Sequence, residues 1–143
     1  MKAVIIDAFN AHEGKDITGL LNELLAEKGW ETRLFPISEM DIRPCSSCGN
    51  CAAKTPGRCS ITDDMEQIYQ AWSQCRLMIF CTPLSFGGYS SRLKLVQDRF
   101  VPMITALFTI RKGELHHENR YWPTPSLLTV GQLNNSQPGE KEA

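Results

Sequence analysis

An excess of charge of either sign is the first thing this chain lacks: 15 Lys and Arg stand against 16 Asp and Glu, a formal net charge of -1. So balanced a surface has no basic stripe to follow a phosphate backbone and no Lys/Arg run to settle on anionic lipid. Nucleic acid and membrane are therefore not expected partners. No apolar run approaches the ~20 residues that cross a bilayer. The opening "MKAVIIDAFN" has too short an apolar stretch for a secretory signal, with no small-residue cleavage site behind it. Histidines number three, and the adjacent pair in "GELHHENRYW" points apart on any regular element, so the two do not share a metal. Internal repeats and low-complexity tracts are absent too. What remains is a cytoplasmic globular chain of 143 residues, room for one hydrophobic core.

The apolar patterns that are present alternate between strand and helix. "AVIIDAF" is a short Val/Ile run without polar alternation, as expected of a strand buried on both faces of a parallel sheet. "DITGLLNELLAEKG" puts Ile17, Leu20, Leu21, Leu24 and Leu25 on one helical stripe, with Asp16 as N-cap and Gly29 as stop. "ETRLFPI" is a second strand, and Pro36 suits an edge position. "TDDMEQIYQAWSQC" is a helix with an Asp63–Glu66 capping box and a stripe of Met65, Ile68, Tyr69 and Trp72. "RLMIFCTP" is the strongest strand. The loop "LSFGGYSS" then leads to a helix with Leu93, Val96 and Phe100 inward, which Pro102 kinks or ends. "MITALFTIR" continues as helix or irregular apolar structure, and "PSLLTVG" is a fourth strand. This alternation predicts an α/β, doubly wound parallel sheet.

In such sheets ligands bind beyond the carboxyl ends of the strands, which brings "FNAHEGKD", "TPLSFGGYS" and "GQLNN" to one rim. In the middle loop Thr82 and Ser85 offer hydroxyls, Gly87 and Gly88 let backbone approach a flat ligand, and Phe86 or Tyr89 can stack on it. The plainer alternative is an ordinary strand-to-helix connection capped by Ser90. The first loop offers Asn10, Gly14, Lys15 and Thr18 to an anion at a helix start, opposed by two acids; His12 reads as a solvent-facing loop residue, and Asp7 as a polar strand end.

Cysteine is concentrated. "CSSCGNCAAKTPGRC" places Cys45, Cys48, Cys51 and Cys59 in C-x2-C-x2-C-x7-C spacing. Four thiolates so close suit an iron–sulfur cubane, in which each iron takes one thiolate, and equally a four-thiolate zinc site. Reduced thiols without metal and disulfides remain open readings, the last disfavoured in a reducing cytosol. Cys75 and Cys81, at a helix end and inside a strand, read as core thiols, and Asp98 and Arg99 as helix-surface or packing residues.

The stretches "RPCSSCGNCAAKTPGRCSITDDM" and "IFCTPLSFGGYSSRLKLVQDRF" resemble the flavodoxin-like NAD(P)H-dependent FMN reductases, and among them the iron–sulfur flavoproteins. The resemblance implies a three-layer flavodoxin-like fold over residues 1–132, with the sheet in order 2-1-3-4 and four strands where the family has five. It implies FMN contacts at Thr82, Pro83, Leu84, Ser85, Phe86, Gly87, Gly131 and Gln132, and tilts Cys45, Cys48, Cys51 and Cys59 toward a 4Fe-4S cluster. It further implies hydride transfer from NADH or NADPH to FMN, with electrons passing on to a small-molecule acceptor or redox protein. No side chain is assigned as general acid or base. The family's Ser-Pro-Arg phosphate loop and its closing helix, strand and helix have no counterpart here, so residues 133–143 read as a tail or a shortened helix start. An open fourth strand favours association as a homodimer or higher. The rival readings are a non-catalytic flavin or iron–sulfur carrier module, and an inactive fragment of a longer reductase.

Overall fold

The computed structural model describes residues 1–10 and 15–133; the candidates His12 and Gly14 and the tail 134–143 lie outside them. In chain order the elements are β1 (Lys2–Asp7), α1 (Lys15–Glu27), β2 (Glu31–Pro36), α2 (Asn50–Ala53), α3 (Met65–Trp72), β3 (Leu77–Ser85), β4 (Gly88–Tyr89), α4 (Ser91–Asp98), a short 3-10 turn (Val101–Met103), β5 (Ile104–Arg111), β6 (Glu114–Asn119) and β7 (Ser126–Leu133). The main sheet runs β2-β1-β3-β7 with all three pairings parallel, and β4 folds back antiparallel on the end of β3. This is the flavodoxin-like order expected for the four principal strands. Pro36 ends β2 on an outer edge, where a missing N–H is harmless.

Strand period two divides the core. Val4 and Ile6 of β1 face one side, joining Met65, Ile68, Phe80, Leu93 and Val96 beneath α3 and α4. Ile5 faces the other, with Phe9, Ile79 and Cys81 under α1. Full burial of each such side chain contributes about 1.5–3 kcal/mol, so the β1–β3 pair is the stable centre. Helix α1 packs its apolar side on this cluster through Ile17, Leu21 and Leu25, an i, i+4, i+8 row. Leu20 and Leu24, expected on the buried stripe, are 57% and 44% exposed. Gly29, at φ +74°, ends the helix region: Gly29 N–H bonds Ala26 O and Trp30 N–H bonds Leu25 O, both at 2.9 Å. Asp16 lies inside the first turn of α1 and is not its cap.

Two further expectations are corrected. No Asp63–Glu66 capping box forms at α3: Asp64 occupies the cap position without a side-chain capping bond, and the Asp63 carboxylate, while accepting Met65 N–H, is paired with Arg99. "MITALFTIR" is not helical; most of it is β5, paired antiparallel with β6 in a hairpin separate from the main sheet. Its β-branched residues favour a strand. Lys112 and Gly113, at φ +52° and +84°, close the hairpin with the double positive φ of a tight turn. Within β6 the two histidines part as expected: His117 Nδ1 lies 2.9 Å from Thr105 O and His116 Nε2 lies 3.3 Å from Glu114. Strand β7 pairs only with β3 among the described residues, and Leu127 and Leu128 on it are 62% and 44% exposed. No helix among the described residues is long and apolar enough to cross a membrane.

Candidate functional site

The carboxyl ends of β1, β3 and β7 meet along one rim. Register sets Asp7 beside Cys81, Thr82 beside Gly131, Pro83 beside Gln132 and Leu84 beside Leu133, and Ala8 N–H reaches Cys81 O at 2.8 Å. Thr82 to Ser85 and Gly131 and Gln132, expected on loops, thus lie on the last residues of β3 and β7 and are brought side by side. Beyond Leu84, the chain turns through Phe86 and Gly87 into β4 with both residues at positive φ, +52° and +73°. Glycine adopts that conformation freely; phenylalanine is strained there. Phe86 is also 95% exposed, and Tyr89 43%. The Phe86 ring, carried on backbone at positive φ and held out into solvent next to glycine, offers a flat surface.

Thr82 acts differently from expectation. Its side chain is fully buried, and its Oγ1 accepts Ser90 N–H at 3.0 Å and lies 3.1 Å from both Ser90 Oγ and Pro83 O. Ser90 Oγ in turn accepts Leu93 N–H at 3.3 Å and caps α4. The Thr82 hydroxyl therefore closes the loop onto α4, while Pro83 and Leu84 are half-buried and Ser85 and Gly87 exposed. Gly131 is small for a packing reason as well: a Cβ there would lie 2.9 Å from Leu84 Cδ2. Gln132 beside it is exposed.

On the β1 side, Asn10 is exposed and Thr18 buried. The Thr18 hydroxyl bonds the Asp7 carboxylate, which also accepts Phe9 N–H at 3.0 Å. Burial pushes the Asp7 carboxyl up against these two bonds, helped by the negative charge of Glu39. Asp7, Asn10, Thr18, Ser38 and Glu39 line a cavity of about 420 Å³ between α1 and β2. Two acids on its wall, Asp7 and Glu39, oppose an anion there. The exposed Phe86 ring and the glycine backbone of Gly87 and Gly131 lie at the carboxyl ends of β3 and β7, where a flat cofactor would have room to approach.

The cysteine loop is a separate structure on the α3–α4 side. All four of its thiols are free: Cys45 and Cys48 are exposed, Cys51 and Cys59 half-buried. The Asn50 N–H and the Ser46 hydroxyl draw the Cys48 thiol below its ordinary value. Burial, then the neighbouring Cys59, Cys45 and Cys48, push Cys51 up. The donor set has the chemistry of a thiolate cluster. Among the described residues no three Cys, His, Asp or Glu groups are disposed to hold a single metal ion. The core thiols behave as expected: burial pushes Cys75 up to about 11 and Cys81 to about 12.

Arg99, read from sequence as a surface or packing residue, is 1% exposed. Its guanidinium meets Asp63 in a two-pronged pair at 2.8 and 3.0 Å and donates to Arg43 O at 2.7 Å. Burial pushes the Asp63 carboxyl up, but hydrogen bonds from Arg99, then from the Arg43 and Met65 amides, outweigh it and leave it below its ordinary value. The available signal was an acid four residues after the last loop cysteine and an arginine directly after α4, opposite charges at the ends of two segments that the fold joins.

A family model described as NADPH-dependent FMN reductase matches residues 1–118. An iron-sulfur flavoprotein of Methanocaldococcus jannaschii is 34% identical over 106 residues, covering 72% of this chain and 53% of that protein. One of Archaeoglobus fulgidus is 29% identical over 99 residues, covering 69% and 50%. The chain spans about half the length of these curated relatives. Among solved structures, a crystal structure of RosB with bound 8-demethyl-8-formylriboflavin-5'-phosphate superposes with a TM-score of 0.61 at 12% identity, covering 97% of this chain and 67% of that one. At that identity the likeness speaks to the fold alone.

Proposed function

The chain belongs to the NADPH-dependent FMN reductase family, and on that premise we propose that it is a flavin-dependent oxidoreductase with FMN seated on the rim of β1, β3 and β7. The observation that carries this reading is Phe86, 95% exposed and at positive φ beside Gly87 at the end of β3. Bound FMN would supply acceptance of a hydride from NADH or NADPH and release of the electrons to a small-molecule acceptor or redox protein. The chain's own residues bind and orient. Phe86 covers a ring face, and backbone from Thr82 to Gly87 with Gly131 and Gln132 lines the ring edge. Asn10 and the amides opening α1 hold the phosphate. The Thr82–Ser90 bracket keeps the loop from swinging. No side chain is assigned as acid or base, and no step is routed through the cysteine loop.

The edge of β7 that is unpaired among the described residues, with Leu127, Leu128 and Leu133 exposed, suits a second copy of the chain, and a homodimer or higher is part of the proposal. The test is a flavin titration. Purified protein should quench FMN fluorescence with 1:1 stoichiometry and then oxidise a reduced nicotinamide under anaerobic conditions. Phe86→Ala should weaken FMN binding about tenfold while changing folding stability by under about 0.5 kcal/mol, because so exposed a ring supports little of the fold. A protein that takes up no FMN, or a variant that binds it unchanged, defeats the proposal.

A further inference from the structure

The four loop cysteines sit on a segment whose two ends are tied at one point. Arg43 precedes Cys45; Ile61 and Asp63 follow Cys59. One guanidinium spans the gap: Arg99 Nη1 donates to Arg43 O at 2.7 Å and Asp63 Oδ2 at 2.8 Å, and Nη2 donates to Asp63 Oδ1 at 3.0 Å and lies 3.5 Å from Ile61 O. Asp63 closes the same gap from its side, accepting Arg43 N–H at 3.0 Å and Met65 N–H at 3.2 Å. Both side chains are almost wholly buried, at 1% and 0% exposure. A planar fork can bridge two carbonyls and a carboxylate at once; an ammonium cannot do so in that geometry.

Arg99 also directly follows α4, whose other end is the Ser90 cap bonded to Thr82. The eight residues of α4 make a strut of roughly 12 Å, with the rim loop fixed at its start and the cysteine loop at its finish. Tyr69 adds a brace, its hydroxyl donating to Arg99 O at 2.6 Å. Inside the loop the hydrogen bonds are local, among them Gly57 N–H to Cys51 O at 3.0 Å and Asn50 Nδ2 to Ser60 Oγ at 3.0 Å. The loop also meets the rest of the fold where Gly57 packs against the Arg120 side chain, and just outside its ends Asp41 and Asp64 exchange two further bonds.

We propose that Arg99 is the positioning residue of the cysteine loop, holding its two ends together against Asp63 and, through α4, setting one spacing between the loop thiols and the rim bracket. The identification of that rim as the flavin seat rests on the function proposed above; the spacing itself does not.

The experiment therefore reads distance without flavin. Nitroxides are placed on Cys48 and on Ser85→Cys, with Cys45, Cys51 and Cys59 replaced by serine and the buried Cys75 and Cys81 left in place. Electron spin resonance should give a single narrow distance distribution. Arg99→Lys and the milder Asp63→Asn should broaden it at least twofold, and Ile68→Val, a core change that lowers stability alone, should leave the width unchanged. Should Arg99→Lys fail to fold, Asp63→Asn carries the comparison. Wild-type width in both clasp variants, or equal broadening by Ile68→Val, overturns the proposal. FMN affinity is measured in parallel on unlabelled Arg99→Lys and Asp63→Asn proteins that keep Ser85 and all the cysteines, and should stay within twofold of wild type. If no protein in the set binds FMN, the rim assignment falls while the width comparison stands.

Discussion

Replacing Thr82 by valine keeps the side-chain shape and removes one hydroxyl from the join between β3 and α4. Ser90 N–H then loses its acceptor at 3.0 Å, and Ser90 Oγ loses a neighbour at 3.1 Å while still capping α4 through Leu93 N–H. A hydrogen bond is worth about 1 kcal/mol net, and a donor left unmade out of water costs about 1–3 kcal/mol. Ser90 is only half-buried, which puts the total near the low end, at about 2 kcal/mol. For a domain of this size that is a fall in Tm of roughly 4–8 °C. Thr82→Ser is the control. It keeps the hydroxyl and deletes one buried methyl, for about 1 kcal/mol.

Urea denaturation of the three proteins gives the stabilities, and FMN fluorescence quenching gives the affinities. Valine should be the less stable variant and should bind FMN more weakly than serine does, because only valine frees the rim loop from α4. The reasoning is refuted if valine is as stable as serine. It is refuted equally if both variants bind FMN alike.

Asp63→Ala should destabilise the fold by about 3 kcal/mol in urea, since it leaves the Arg99 guanidinium buried without its counter-charge. The same carboxyl predicts an acid limb. Its folded pKa lies below the ordinary 3.8, so its contribution is full above that value and lost as pH falls through the depressed folded one. Stability of wild type should therefore drop more steeply there than that of Asp63→Asn. Iodoacetamide at pH 8 should modify the four loop cysteines of native protein and spare Cys75 and Cys81, whose thiols burial holds at about 11 and 12; mass spectrometry counting six additions would contradict the packing. Leu127→Asp with Leu128→Asp should shift the protein to monomer in sedimentation if β7 is the face between copies.

The parallel sheet was readable because its signals are local. Val4, Ile5 and Ile6 have no polar alternation, and only a strand covered on both faces tolerates that. Gly29 and Ser90 announced the end of one helix and the start of another through their own backbone chemistry. What escaped depended on distant partners. "MITALFTIR" carries enough apolar residues for a helix; its strand character is settled by the Lys112–Gly113 turn and by β6, which follows it. Thr82 was chosen for its hydroxyl, yet that group turns inward, since Ser90 lies eight residues on and within bonding reach. Leu20 and Leu24 were placed by period alone, and the period cannot tell how wide a strip of α1 the sheet covers. Asp63 fitted a capping pattern until Arg99, 36 residues away, claimed its carboxylate.

The rim is not equally firm around its length, and this has a measurable consequence. Its β1 and β3 sides rest on residues that are almost fully buried, whereas β7 has mostly exposed side chains and is held chiefly by its backbone ladder to β3. Opening of β7 should therefore cost less than opening of β1, and its amides should exchange with deuterium sooner. Gly131 and Gln132 lie on this weak strand and on the proposed flavin contact together, so a ligand that needs them in place must oppose their release. At FMN concentrations one hundred times its Kd the closed form gains about 2.7 kcal/mol, which slows exchange through β7 opening by roughly 100-fold. Amides of β1 should change far less, because their exchange waits on the whole fold. Protection that appears at β1 and not at β7 would place the flavin on another face of the sheet.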